Sequence, residues 1–342
     1  MKSKSVKRRL AMLTASAMTV AVLGMNVCAA GVVTDTNGIT SIDVGKTVTT
    51  DGNTFKPNTS FSFEVALGAA GTYDNNVVYA GVTDGLKPAA AAVSAPSAND
   101  TLSSSYTISG GSLAVDVSKF DKPGVYHYVV TETQGTYEGI AYDNSSFDVY
   151  LYVYNGNGCL YVGNVVSVKN GTKADLAFVN DYGKNNDTTH DVTVTKEVKG
   201  NQADLNKGFQ FDISVNGGEG EYYKVVVKET ATSAAVTSVI ASGANAVTYT
   251  IKNGGSIQIF GLSASDGYTI NEHDYSGDGY VTTNRNNTGN ATADGTCITV
   301  TNTKNAGIPT GIITTIVPFA LMVILAAVVA AVFLRRKNRE EF

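Results

Sequence analysis

The 342-residue chain has no Trp, three Cys, three His and six Pro, and only 16% of its residues are charged. Each scarcity excludes something. Three cysteines cannot build the disulfide framework of a small secreted domain. Cys28 falls in a segment expected to be removed, and Cys159 and Cys297 lie in different halves, so both are expected as buried free thiols. His127, His190 and His273 stand far apart without metal-ligand spacing, so no metal and no cofactor is expected. No nucleophile–base pair stands out, which argues against an enzyme acting on other molecules. The run Gly217-Gly218-Glu219-Gly220 lacks the strand–loop–helix setting of a phosphate site and reads as a hairpin turn. No amphipathic helix of useful length is visible, and the Ala-rich stretch 88–98, with Pro88 and Pro96, reads as a loop.

Basic residues are scarce in the middle of the chain. Nine of the 25 sit at the two ends, and residues 31–310 hold 16 basic against 28 acidic, a net of −12 where the whole chain has −5. An acidic body argues against nucleic acid and against docking on anionic lipid. The ends themselves read as targeting segments. Residues 1–30 pair a basic start (Lys2, Lys4, Lys7, Arg8, Arg9) with the apolar run Leu10 to Val27 and small residues at Cys28-Ala29-Ala30, the pattern of a secretory signal peptide. Residues 312–334 carry no charge and are long enough for a transmembrane helix, and the basic tail 335–342 marks its cytoplasmic side. The body is therefore expected outside the membrane.

That body is expected to be all-β. Short Val/Tyr-rich or alternating runs recur, among them 61–65, 125–131, 147–154, 222–227, 256–260 and 296–301, with Gly, Asn, Asp and Ser between them. This is the spacing of tandem β-sandwich domains and not of βαβ units. The polar stretch 184–191 divides the body into two halves with matching landmarks. Lys46 precedes Phe61-x-Phe63 as Lys196 precedes Phe209-x-Phe211. Tyr128-Val-Val-Thr-Glu132 matches Tyr268-Thr-Ile-Asn-Glu272. Phe178-Val-Asn180 closes the first half as Val300-Thr-Asn302 closes the second. The expected parts are thus 31–183, a linker 184–191, and 192–305.

Strand periodicity places these six polar side chains. Residues two apart share a face. Lys46 falls in register with Ile42, Val44 and Val48, and Lys196 with Val192, Val194 and Val198. Glu132 goes with Tyr128 and Val130, and Glu272 with Tyr268 and Ile270. Asn180 goes with Phe178, and Asn302 with Ile298 and Val300. All six are expected in the two cores, where Lys and Glu are rare unless paired. Burial lowers the pKa of a Lys and raises that of a Glu, turning the first into a nucleophile and the second into an acid. Set against an Asn carboxamide, the acid polarises the carbonyl, the amine attacks and ammonia leaves. The product is a Lys–Asn isopeptide bond, with Glu132 and Glu272 as the catalytic residues. A buried Lys–Glu ion pair beside a satisfied Asn is the alternative.

On these motifs the chain resembles the major shaft pilins of Gram-positive bacteria, of the streptococcal T-antigen type, built from Ig-like domains with internal isopeptide bonds. The match is good over TVTKEVKGN, FQFDI, YTINEHDY and ITVTNTK, and in GVYHYVVTE, GIAYD and FVNDY; residues 68–112 do not align. The resemblance implies cross-links Lys46–Asn180 and Lys196–Asn302. Ile308-Pro309-Thr310-Gly311, within 306–311 and directly before the span, resembles a sortase signal cleaved between Thr310 and Gly311. Lys173, seven positions before Asn180, matches the lysine that joins one subunit to the next, with Lys169 as runner-up. The implied function is the structural subunit of a sortase-assembled, head-to-tail covalent homopolymer on the cell surface. Its partners would be a pilin-type sortase, cell-wall peptidoglycan or an anchoring pilin, and a tip adhesin. A wall-anchored ancillary pilin or adhesin stalk is the alternative.

Overall fold

The structure, a computed structural model, describes residues 38–156, 158–183, 190–292, 295–306 and 310–337. The signal peptide expected at 1–30, most of the linker, and Ile308 and Pro309 lie outside the described residues. The described chain forms two β-sandwiches, each with its own apolar core.

In the first, one sheet runs in the order Thr172–Lys173, Cys159–Lys169, Ser146–Gly156, Gly124–Glu132, Asn76–Ala80, Gly71–Tyr73, with Phe63–Leu67 also on Gly124–Glu132. The facing sheet is ordered Ile140–Ala141, Ala177–Tyr182, Gly45–Thr49, Ser105–Ile108. In the second, a six-stranded sheet centred on Ser256–Leu262, His190–Lys199 and Thr296–Thr303 faces a four-stranded one ordered Val247–Ile251, Phe209–Asn216, Gly267–Glu272, Asn286–Asn290. Burial alternates residue by residue from Tyr126 to Glu132 and along His190–Lys199. One apolar face per strand is what a two-sheet core requires.

Two loop expectations are corrected. Residues 88–98 are not a loop: Leu86–Ala90 and Ala92–Ser94 are strands, pairing with Ser112–Val115 and Thr59–Phe61. Pro88 is tolerated because its strand is the outer one of a three-stranded sheet, so its missing N–H breaks no ladder. Ala92 is fully buried. Nor is 217–220 a hairpin turn. Phe209–Asn216 and Tyr222–Lys228 belong to different sheets, and the glycines carry the chain across the sandwich to the junction with the first half. There Gly220, at φ 74°, leaves room that a Cβ would fill at 2.5 Å from Asn58 Nδ2.

The junction is polar. Asn58 Nδ2 donates to Glu219 O at 2.8 Å, Lys224 Nζ to Asn53 Oδ1 at 2.7 Å, and Tyr137 to Glu221 Oε1. Behind these contacts Tyr223 lies between two carboxylates, 2.6 Å from Glu221 Oε2 and 3.0 Å from Asp266 Oδ2. Burial pushes the Asp266 carboxyl up to about 6 against the Ser263 N–H that stabilises its charge, and the charge of Glu221 adds to the rise. The folded chain therefore holds a proton that the unfolded chain releases near pH 4. Stability from this group falls as pH rises through 4 to 6 and stays low above. Melting temperatures measured between pH 4 and 7 should show this decline in the wild type and a flatter profile in Asp266→Asn. Equal slopes would remove Asp266 as its cause.

The cysteine expectation also fails. Cys297 is free but exposed, because its position on Thr296–Thr303 alternates with the buried Ile298. At the C-terminus a helix covers Thr310–Lys337 and includes Thr310 and Gly311; the side chains described in it are those of 318–332. Among the described residues no helix is long and apolar enough to cross a membrane.

Candidate functional site

Each sandwich places its Lys-bearing strand, Gly45–Thr49 in the first and His190–Lys199 in the second, beside its last strand, in parallel. Lys46 lies opposite Phe178, and Asn180 opposite Val48. In the second half Lys196 lies opposite Val300, and Asn302 opposite Val198. The register is the same in both: the Asn sits one same-face step beyond the partner of the Lys. That offset is about 4.8 Å across and about 6.6 Å along the strands, within the reach of a lysine stem. The glutamates arrive from the facing sheet, Glu132 opposite Phe63 and Glu272 opposite Phe211. The three side chains of each set therefore meet in mid-core.

In the first half Lys46 Nζ is 2.8 Å from Glu132 Oε1, with both side chains fully buried. The same oxygen accepts from Asn180 Nδ2 at 3.0 Å. One carboxylate oxygen thus touches both the amine and the amide nitrogen. The amide carbonyl points elsewhere: Asn180 Oδ1 accepts from the main-chain N–H of Asp143 at 2.8 Å. That N–H can only donate, so it fixes which end of the carboxamide faces Glu132. The glutamate accordingly faces the nitrogen, where the sequence led us to expect it on the carbonyl.

The second half repeats the buried Lys–Glu pair without a hydrogen bond from it to the Asn among the described residues. Lys196 Nζ lies 3.2 Å from Glu272 Oε1 and donates to Val300 O at 3.0 Å. Both polar atoms of the Asn302 carboxamide are buried with no hydrogen-bond partner among the described residues. Such an orphaned amide costs about 1–3 kcal/mol, and losing its nitrogen removes the orphaned donor.

A phenylalanine covers each amine: Phe61 with its centroid 4.7 Å from Lys46 Nζ, and Phe209 at 4.6 Å from Lys196 Nζ. Burial pushes both amines below their ordinary pKa, against the opposing pull of Glu132 and Glu272. The Phe-x-Phe repeat was visible in the sequence, but its role as a lid on the amine was not. Asp143 was also missed, although it ends the GIAYD run; local periodicity assigns no partner to a turn residue.

The remaining expected residues lie elsewhere. Lys173 is exposed on the two-residue edge strand Thr172–Lys173. It follows a turn in which Asn170 and Gly171 have φ of 52° and 77°. It borders a shallow depression of about 430 Å³ lined by Val165, Ser167 and Asp175 among others. Lys169 is partly buried, its Nζ 5.0 Å from the Phe147 ring centroid. Two of the three histidines pair with an aspartate: His127 Nε2 lies 2.9 Å from Asp148 Oδ1, and His273 Nε2 2.9 Å from Asp212 Oδ2. Among the described residues no three His, Cys, Asp or Glu side chains are grouped to hold a metal.

Residues 42–183 match a family described as a Spy0128-like isopeptide containing domain, and residues 190–304 match a domain of unknown function (DUF7601). A pilin of Streptococcus pyogenes serotype M1 is 30% identical over 315 residues, covering 84% of this chain and 87% of its own length. Among solved structures, the major pilin of Streptococcus pyogenes superposes with a TM-score of 0.59 at 23% identity, over 78% of this chain and 99% of that one. The T3.2 major pilin of the same species (serotype GAS13637) gives 0.56 at 26% identity, over 78% and 98%. With its two mostly-β sandwiches and its extended likeness to one such subunit, the chain belongs to the pilin family.

Proposed function

We propose that the chain is the shaft subunit of a covalent surface pilus, and that each sandwich, 31–183 and 192–305 on either side of the linker 184–191, closes itself with one isopeptide bond. The observation that carries this is the repetition of Lys, Glu and Asn in the same parallel register in both cores. In the first half the neutral Lys46 amine attacks Asn180 Cγ. Glu132 Oε1 takes a proton from the amine and hands it to Nδ2, which leaves as ammonia. Lys196, Glu272 and Asn302 do the same in the second. The chemistry is a single turnover within the chain; the subunit is not an enzyme toward other molecules.

Assembly needs an acyl donor and an amine. The segment 308–311 is the donor: a pilin-type sortase cleaves after Thr310 and transfers the Thr carbonyl to Lys173 of the next subunit, giving a head-to-tail homopolymer. Before cleavage the uncharged run 312–334 holds the subunit in the membrane with the tail 335–342 inside. Afterwards the polymer is attached to peptidoglycan directly or through an anchoring pilin, and a tip adhesin ends it. An immunoblot of wall extract, boiled in detergent and reductant, should show a ladder of high-mass species. A single band near monomer mass would make the chain an anchored stalk or ancillary pilin.

A further inference from the structure

The Asn180 carbonyl has a partner that its counterpart Asn302 lacks among the described residues. Asp143 follows the short strand Ile140–Ala141, which runs antiparallel to the Asn180 strand with Ile140 opposite Tyr182 and Ala141 opposite Asp181. This brings Asp143 alongside Val179 and Asn180. Its carboxylate is held at both oxygens: Oδ1 accepts from Ser145 N at 2.8 Å, and Oδ2 from Val179 N at 2.9 Å. Its own carbonyl accepts from Gln134 Nε2 at 2.9 Å. Burial alone would push the carboxyl up, but the donors from Ser145 and Val179 outweigh it and hold it below its ordinary value. It stays an anion able to accept on both sides. The clamp fixes the Asp143 main-chain N–H 2.8 Å from Asn180 Oδ1.

We propose that the main-chain N–H of Asp143 is the oxyanion donor for closure of the Lys46–Asn180 bond, and that the Asp143 carboxylate positions it by clamping the Asn180 strand at Val179. The proposal rests on the reading that this bond forms. As Lys46 Nζ bonds to Asn180 Cγ, the carbonyl π electrons move onto Oδ1. The negative charge there is stabilised by the Asp143 N–H. The charge returns to the carbonyl as the Cγ–Nδ2 bond breaks, and ammonia leaves with the proton relayed by Glu132 Oε1. Fixed donors aimed at developing charge act strongly in a dry core, and removing one costs about 10²–10³ in rate. In the second half Asn302 Oδ1 has no donor among the described residues, so its closure is independent of Asp143.

The test is the rate of ammonia loss from the folded full-length chain, expressed without a sortase and followed by intact mass after reduction. Wild type should be complete at purification. Asp143→Ala should retain one ammonia, located by peptide mapping to Lys46 and Asn180, and lose it on the order of 10²-fold more slowly. Its Lys196–Asn302 bond should be complete. Asp143→Asn keeps an acceptor for the Val179 N–H and should be intermediate, a rescue that a merely structural role would not give. Melting of Asp143→Ala in a Glu132→Ala background, where no first bond forms, reports any folding defect separately. If Asp143→Ala does not fold, Asp143→Asn carries the test alone. Closure at the wild-type rate in whichever variant folds overturns the proposal. A wild type that keeps both ammonias overturns the underlying reading instead.

Discussion

Replacing Asn302 by Ala should leave the reduced chain about 17 Da below its sequence mass, the loss of one ammonia, where the wild type lies about 34 Da below its own. Asn180→Ala should do the same for the first half, and the double variant should weigh what its sequence says. Asn is the better target than Glu. Removing Glu132 or Glu272 also strands a buried Lys, at a cost of about 3–5 kcal/mol that is unrelated to any bond. Asn→Ala leaves the fully buried Lys–Glu contact in place. The bonds close loops of roughly 130 and 110 residues, each adding about 4–5 kcal/mol by restricting the unfolded chain if they act as disulfides do. For domains of this size, losing one should lower the melting temperature by on the order of 10–20 °C. Glu→Ala should abolish the same mass loss in its own half only. An unchanged mass in every variant would leave two reversible ion pairs and no cross-link.

The second large effect concerns assembly. Lys173→Ala should abolish the high-mass ladder while a secreted subunit of normal mass deficit accumulates. Lys173 is exposed and leaves the sheet edge intact when truncated, so the expected change in stability is within about 0.5 kcal/mol. Loss of polymer would then reflect loss of the acceptor and not of the fold. Lys169, held over Phe147, is the natural comparison, and Lys169→Ala should keep the ladder. If Lys169→Ala loses it and Lys173→Ala does not, the acceptor assignment moves four residues upstream. If neither does, another exposed lysine is used.

Much of this protein follows from its sequence alone. Alternation of apolar residues put Lys46, Lys196, Glu132, Glu272, Asn180 and Asn302 on inward faces, because side-chain direction in a strand depends only on parity along the chain. Repetition of the same landmarks in two halves made six buried polar residues a pattern instead of an error of register. What parity cannot supply is which strand lies beside which, since pairing joins residues far apart. Only the tertiary structure set the Lys-bearing strand parallel to the last with each Asn one same-face step beyond the partner of its Lys. Only it brought the glutamates across from the facing sheet. The misread segments fail for the same reason. Pro88 and its alanines form strands because partners elsewhere in the chain accept them. The glycines at 217–220 look like a hairpin until their flanking strands are found in different sheets. Asp143 carries no periodic signal at all. Its place against Asn180 is decided by the turn that returns the chain along the last strand, a contact between residues 37 positions apart.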